Sequence, residues 1–180
     1  MWNIISTYEE GKGVRAIHLA LATGLLIALL RWGDWDHIRE YYPTMLIMAI
    51  ADLAYEAVAN EYYYLWKIHP DFFLDDLGVL LLHAVVLYPF SAFLFLSNYP
   101  ETLLWRIIHY AKWVAIYLVL EMIAYRLGVI TYDHGWNLFW SSFFLIHMFL
   151  FLRLHYLRPL WAVIASVPSA LFYMFMFGMI

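Results

Sequence analysis

The chain has no cysteine, which excludes disulfides and thiolate-held metals alike. Charge is almost as scarce, with 13% of the 180 residues being Asp, Glu, Lys or Arg. A net charge of −4 and the absence of any Lys/Arg cluster leave no footprint for nucleic acid. HExxH, Walker, GxSxG and GxxxG motifs are all missing, as are internal repeats, linkers and low-complexity segments. The chain therefore reads as one domain over residues 1–180. Its N-terminal stretch, Met-Trp-Asn-Ile-Ile-Ser-Thr-Tyr-Glu-Glu, lacks the basic start of a signal peptide, and the first apolar run lacks a cleavage pattern. That run is expected to be a retained helix.

Apolar residues fill the space that charge leaves. They make up 66% of the chain, and the mean hydropathy is +0.72. They come in runs of about 17–25 residues, the length of a spanning helix and too long for a barrel strand. Only structures that satisfy their own backbone hydrogen bonds survive in lipid. The expected fold is all-α: a polytopic bundle of five or six transmembrane helices, antiparallel, with short loops. The runs fall at 14–30, 43–66, 77–96, 103–127, 136–157 and 160–177. Pro43 is read as a first-turn residue of helix two, where its missing N–H is harmless. Pro89 should kink helix three. Lys12, Arg15, Lys67 and Arg126 collect on one side, against Arg31, Arg39, Arg106, Lys112, Arg153 and Arg158 on the other. The excess favours the second side as cytoplasmic, with both termini outside. A bacterial cytoplasmic membrane is the expected location.

Ionisable groups inside a span cost several kcal/mol, so each asks for a reason. Asp52, Glu56 and Asn60 stand at i, i+4 and i+8 on one face of helix two. Two carboxyls one turn apart in lipid cannot both ionise cheaply, so one should keep a transferable proton. The alternative is a polar stripe that fastens helices together. In helix four, Tyr117, Glu121 and Tyr125 share a face, where the phenols can orient the acid or Arg126 can neutralise it. Helix five carries His147 on a face with Trp136, Trp140 and Phe143, beside a strip of Asn137 and Ser141. His147 is expected to partner Asp52 or Glu121. Asp71, Asp75 and Asp76 cluster at the mouth of helix three, with His83 two turns beyond Asp76. Such a cluster can hold Mg²⁺ against a diphosphate, or simply favour a helix N-terminus; no other cofactor is called for. His18, His83, His109 and His147 are the candidates for bis-histidine haem ligation, and no spacing favours it.

The segments Tyr41–Met45, Tyr117–Glu121 and Gly128–Ser141 carry a resemblance to a large family of small multi-helix membrane proteins from spore-forming bacteria. It covers the chain from Trp32 onward and implies the helix layout, but no activity. In architecture the chain is also similar to the transmembrane terpene cyclases, small aromatic-rich bundles with isolated acids inside the membrane. Aromatics are 21% of this chain.

Three functions are compatible with these residues. The first is an intramembrane enzyme for an apolar lipid or isoprenoid. In it Asp52, Glu56 or Glu121 protonates the substrate, His147 takes up the final proton, and Tyr117, Trp136, Trp140 and Phe143 shield a carbocation. Asn60, Tyr125, Asn137 and Ser141 would complete its cavity. The second is a proton- or cation-coupled transporter or channel; six short helices are few for an alternating-access monomer, an objection a homo-oligomer would lift. The third is a non-catalytic sensor or assembly subunit.

Overall fold

Helix is what apolar runs of this length must form, and it dominates the computed structural model, which describes residues 16–179, the side chains of 60–62 excepted. At 78% helix the chain is all-α. The helices are α1 (Ile17–Trp32), α2 (Ile38–Tyr62), α3 (Asp76–Ser97), α4 (Leu103–Arg126), α5 (Leu138–Leu157) and α6 (Pro159–Met176). All but α1 are long and apolar enough to cross a membrane. The outer faces are apolar as well: Leu103, Leu160 and Phe175 are largely exposed, an arrangement suited to lipid rather than water.

The α3 span is the central one, with 61% of it buried against 28% or less of every other span. Its second half presents Ala92, Phe93 and Phe95, which are fully enclosed by Leu29, Tyr41, Met45, Phe149 and Leu152 from α1, α2 and α5. Buried polar groups are paired across these contacts. Thr44 Oγ1 meets His155 Nδ1 at 2.9 Å, and His109 Nε2 donates to the Phe95 carbonyl at 2.9 Å. Gly33, between α1 and the Trp35–His37 turn, allows a close approach: a Cβ there would sit 2.7 Å from the Leu29 carbonyl and 2.9 Å from Phe93.

Two expectations need correction. Helix two starts at Ile38, not residue 43, so Pro43 lies inside it. Pro43 is on the exposed face, where the lost hydrogen bond disturbs no helix contact. The helix also stops at Tyr62, not residue 66, because Trp66–Ile68 forms a strand, β1, antiparallel to β2 (Ile130–Tyr132). Trp66 faces Tyr132 and Ile68 faces Ile130 in register. Gly128, with φ +72°, ends α4 by turning the chain toward β2. Pro89 acts by a different route from a simple kink. Residues Leu82–Leu87 widen into a π-helical turn, and the Tyr88 N–H reaches back to the His83 carbonyl. Residues 14 and 15, assigned to helix one, lie outside the described residues.

Candidate functional site

The β1–β2 strap crosses the end of the bundle where α2 and α4 finish and α3 and α5 begin. Tyr55 fastens it. Its hydroxyl donates to the Trp66 carbonyl at 2.9 Å and accepts from the Leu65 and Trp66 amides at 3.2 and 3.1 Å. Its ring stacks on Trp66 at 4.1 Å and an 8° interplanar angle. Beneath the strap is a cavity of about 430 Å³, bounded by the acid face of α2, by β1 and by the first two turns of α3.

Asp52 and Glu56, the i, i+4 pair, both line this cavity. The structure adds Asp76 and His83 from α3 and Lys67 from β1. The Lys67 ammonium lies within electrostatic range of Glu56 and 5.4 Å from the Tyr64 ring. Among the described residues the side-chain ion pairs are His37–Asp34 and His134–Asp133, neither of them in the cavity. The π-helical turn sets the position of His83: its Nε2 meets His18 Nδ1 at 3.2 Å, and His18 Nε2 meets the His69 carbonyl at 3.0 Å. Among the described residues the buried His83 Nδ1 has no hydrogen-bond partner. The rim is electrostatically tuned. Burial pushes the His69 pKa down, helped by Lys67 and opposed by Asp76. Burial pushes the Tyr64 pKa up, with Glu56 and Asp76 adding to the rise.

Glu121 sits in a second polar cluster. Its Oε1 accepts from the Tyr132 hydroxyl at 2.6 Å and from Ser141 Oγ, while Ser141 accepts from Trp136 Nε1 at 2.9 Å. The Tyr132 pKa is pushed up by burial and by this bond to Glu121. The cluster ties α4, β2 and α5 together. Tyr88 of α3 lies within electrostatic range of Asp52, Glu56 and Glu121.

The other expected site residues are dispersed. His147 pairs with Ser169 Oγ at 3.0 Å and stacks on Tyr173, so its hydrogen-bond partner is a serine of α6 rather than Asp52 or Glu121. Tyr117 bonds Ser91 and packs edge-on to Phe149 in the core. Tyr125 stacks on Tyr132, and Asn137 caps α5 through the Phe139 and Trp140 amides. Trp136 and Trp140 pack with Leu65 and Phe177, and Phe143 lies exposed beside Phe172 and Tyr173. Trp66 connects this aromatic cluster to the cavity, its ring 4.7 Å from that of Trp136. The Asn60 side chain lies outside the described residues.

Asp75 caps α3 by accepting from the Gly78 amide at 2.8 Å, and Asp71 Oδ1 accepts from the Phe73 and Leu74 amides. Asp76 is the aspartate of that run which lines the cavity. Among the described residues no three histidine or acidic side chains are arranged to hold a metal ion.

Sequence reasoning missed Lys67, Tyr64 and Trp66 as cavity walls, and Tyr55 as the pin that holds them. One signal for Tyr55 was present: it lies between Asp52 and Glu56 on the polar side of α2. No family model, curated protein or solved structure matches the chain. The family resemblance thus rests on the quoted segments alone.

Proposed function

We propose that this chain is an intramembrane enzyme that moves protons onto and off a lipid or isoprenoid substrate, with Asp52 and Glu56 as its acid and base. One observation carries the reading: the two carboxyls share the wall of a 430 Å³ cavity at the end of the bundle. That volume lies within the range of small-molecule sites, about 300–1,000 Å³.

The chemistry follows from the pair. A carboxylic acid adds its proton to an alkene carbon, and the resulting cation loses a neighbouring C–H proton to the carboxylate beside it. The product is an isomer or a ring of the same mass. No electrons are gained or lost, so the step needs no co-reactant. Trp66 and Tyr64 line the same cavity, and an aromatic wall stabilises positive charge as it develops. The shielding role expected of Trp136 and Trp140 becomes an indirect one: they pack behind Trp66. Glu121 is placed with the fastening groups rather than with the acid pair. On the charge asymmetry of the loops, the cavity faces the outer side of the membrane.

The test is to reconstitute the chain in liposomes holding isoprenoid and phospholipid extracts and to follow lipid species by chromatography and mass spectrometry. Wild type should produce an isomer that Asp52→Asn and Glu56→Gln do not. Identical lipid profiles in all three would refute the proposal. Ion flux through those liposomes without lipid conversion would favour the cation-relay reading, which the three carboxyls facing one ammonium support.

A further inference from the structure

We infer that the basic end of the bundle holds the phosphate of an anionic phospholipid between Arg106 of α4 and Arg153 of α5. This end is opposite the cavity, because α4 begins and α5 finishes here, so the inference stands apart from the proton-transfer reading.

The first support is a pair of guanidiniums gathered on one ring with no anion to meet. Tyr99 lies in the turn between α3 and α4, with Arg153 Cζ 3.8 Å from its ring centroid and Arg106 Cζ at 5.6 Å. Tyr156 flanks Arg153 as well, at 5.2 Å. These rings hold the cations in place but give their N–H groups no strong acceptor. Arg106 Nε donates to the Pro100 carbonyl at 3.0 Å, and its two terminal nitrogens are left without a partner among the described residues. Arg153 is half-buried and makes no hydrogen bond to the described residues. Nearby acids are engaged elsewhere. Asp34 pairs with His37 and accepts from Tyr41, and Glu40 meets the Tyr156 hydroxyl at 3.4 Å. Among the described residues no carboxylate forms an ion pair with either arginine.

The second support is depth. Arg106 is three residues from the start of α4 and Arg153 four from the end of α5. That is about 4–6 Å along the axis, which puts both at headgroup level. Lys112 lies deeper, on the exposed face of α4, where an ammonium needs a polar partner. Its long stem carries the charge back toward the headgroups, within electrostatic range of His109, whose ring lies 5.7 Å from that of Tyr99. A guest for these cations must bring negative charge, several acceptor oxygens and apolar chains that lie along α4, where Ile108 and Ile116 are exposed. A phospholipid phosphate meets all three needs, and the guanidinium fork matches its oxygens. On the charge asymmetry of the loops this end faces the cytoplasm, the side whose leaflet carries anionic lipid.

The test titrates the full chain in neutral detergent with phosphatidylglycerol, phosphatidylcholine and soluble glycerol phosphate, and counts bound lipid by native mass spectrometry. Phosphatidylglycerol should bind saturably, about ten-fold or more tighter than phosphatidylcholine. In the double variant Arg106→Gln, Arg153→Gln that preference should fall below about three-fold. Arg39→Gln, which removes an exposed cation of the same end, should keep it. Equal affinity for the two lipids, no saturable binding, or an undiminished preference in the double variant would overturn the assignment. An equal loss in Arg39→Gln would show diffuse charge rather than a site, and glycerol phosphate displacing the lipid at equal concentration would identify a soluble phosphate as the guest. Either result overturns it too. Circular dichroism establishes that each variant is folded, and the comparison of lipids on wild type stands without them.

Discussion

Replacing Tyr55 by Phe removes one oxygen and should release the strap. Phenylalanine keeps the ring that stacks on Trp66 at 4.1 Å, so the aromatic contact survives and the hydrogen bonds alone are tested. Three backbone groups lose their partner: the Leu65 and Trp66 amides and the Trp66 carbonyl. Leu65 is only 3% exposed, so water does not readily replace the hydroxyl there. An unsatisfied buried group costs about 1–3 kcal/mol. The two amide contacts are long, at 3.1 and 3.2 Å, so each belongs at the low end, and the sum is about 2–4 kcal/mol. Hydrogen–deuterium exchange by mass spectrometry reads this locally. The peptide over residues 63–69 should exchange at least ten-fold faster, the equivalent of about 1.4 kcal/mol. Peptides from the middle of α4 should not change. Exchange over 63–69 at the wild-type rate would show that Tyr55 does not hold the strap.

Other perturbations separate the remaining parts of the account. Glu121→Ala leaves the Tyr132 and Ser141 hydroxyls without their acceptor and should cost about 2–4 kcal/mol, whereas Glu121→Gln keeps a carbonyl oxygen and should cost about 1 kcal/mol; unfolding in mixed micelles measures both. Equal losses would mean that the carboxylate charge, not the hydrogen bonds, matters there. Gly33→Ala forces a methyl to within 2.7 Å of the Leu29 carbonyl and should lower stability by about 1–3 kcal/mol in the same assay. His69 has its pKa pushed below the usual 6.5, so its contribution is fully present above 6.5 and is lost as pH falls through the lower folded value. Exchange over 63–69 should therefore rise on acidification below about pH 6.5, and His69→Gln should flatten that dependence.

The helix layout was legible because long apolar runs have few folds open to them. Apolar runs of spanning length become helices, and in five of the six helices both ends fall within about one turn of those read from hydropathy. The acid pair was legible for a similar reason, since i, i+4 spacing puts Asp52 and Glu56 on one face wherever the helix packs. The strap was not. Trp66–Ile68 and Ile130–Tyr132 are three-residue strands that exist only because each finds the other and because Tyr55 holds the turn, a tertiary cause without local periodicity. The place of His83 depends on a π-helical turn before Pro89, and a proline in sequence announces disruption without its form. The aromatic residues of α4, of α5 and of the loop before α5 showed the opposite difficulty. A shared helical face suggested one cavity wall, yet Tyr117 went to the core, Phe143 to the surface and Trp136 behind the strap.

Proton exchange with the substrate is the claim on which the account turns, and heavy water tests it directly. Liposomes holding the chain and its lipid extract, incubated in D₂O, should accumulate carbon-bound deuterium in one lipid class, read by mass spectrometry after back-exchange of labile sites. Wild type should incorporate the label, and Asp52→Asn and Glu56→Gln should not. Carbon-bound deuterium absent from every lipid, or equal in wild type and both variants, would contradict a proton-transferring role for the Asp52–Glu56 pair.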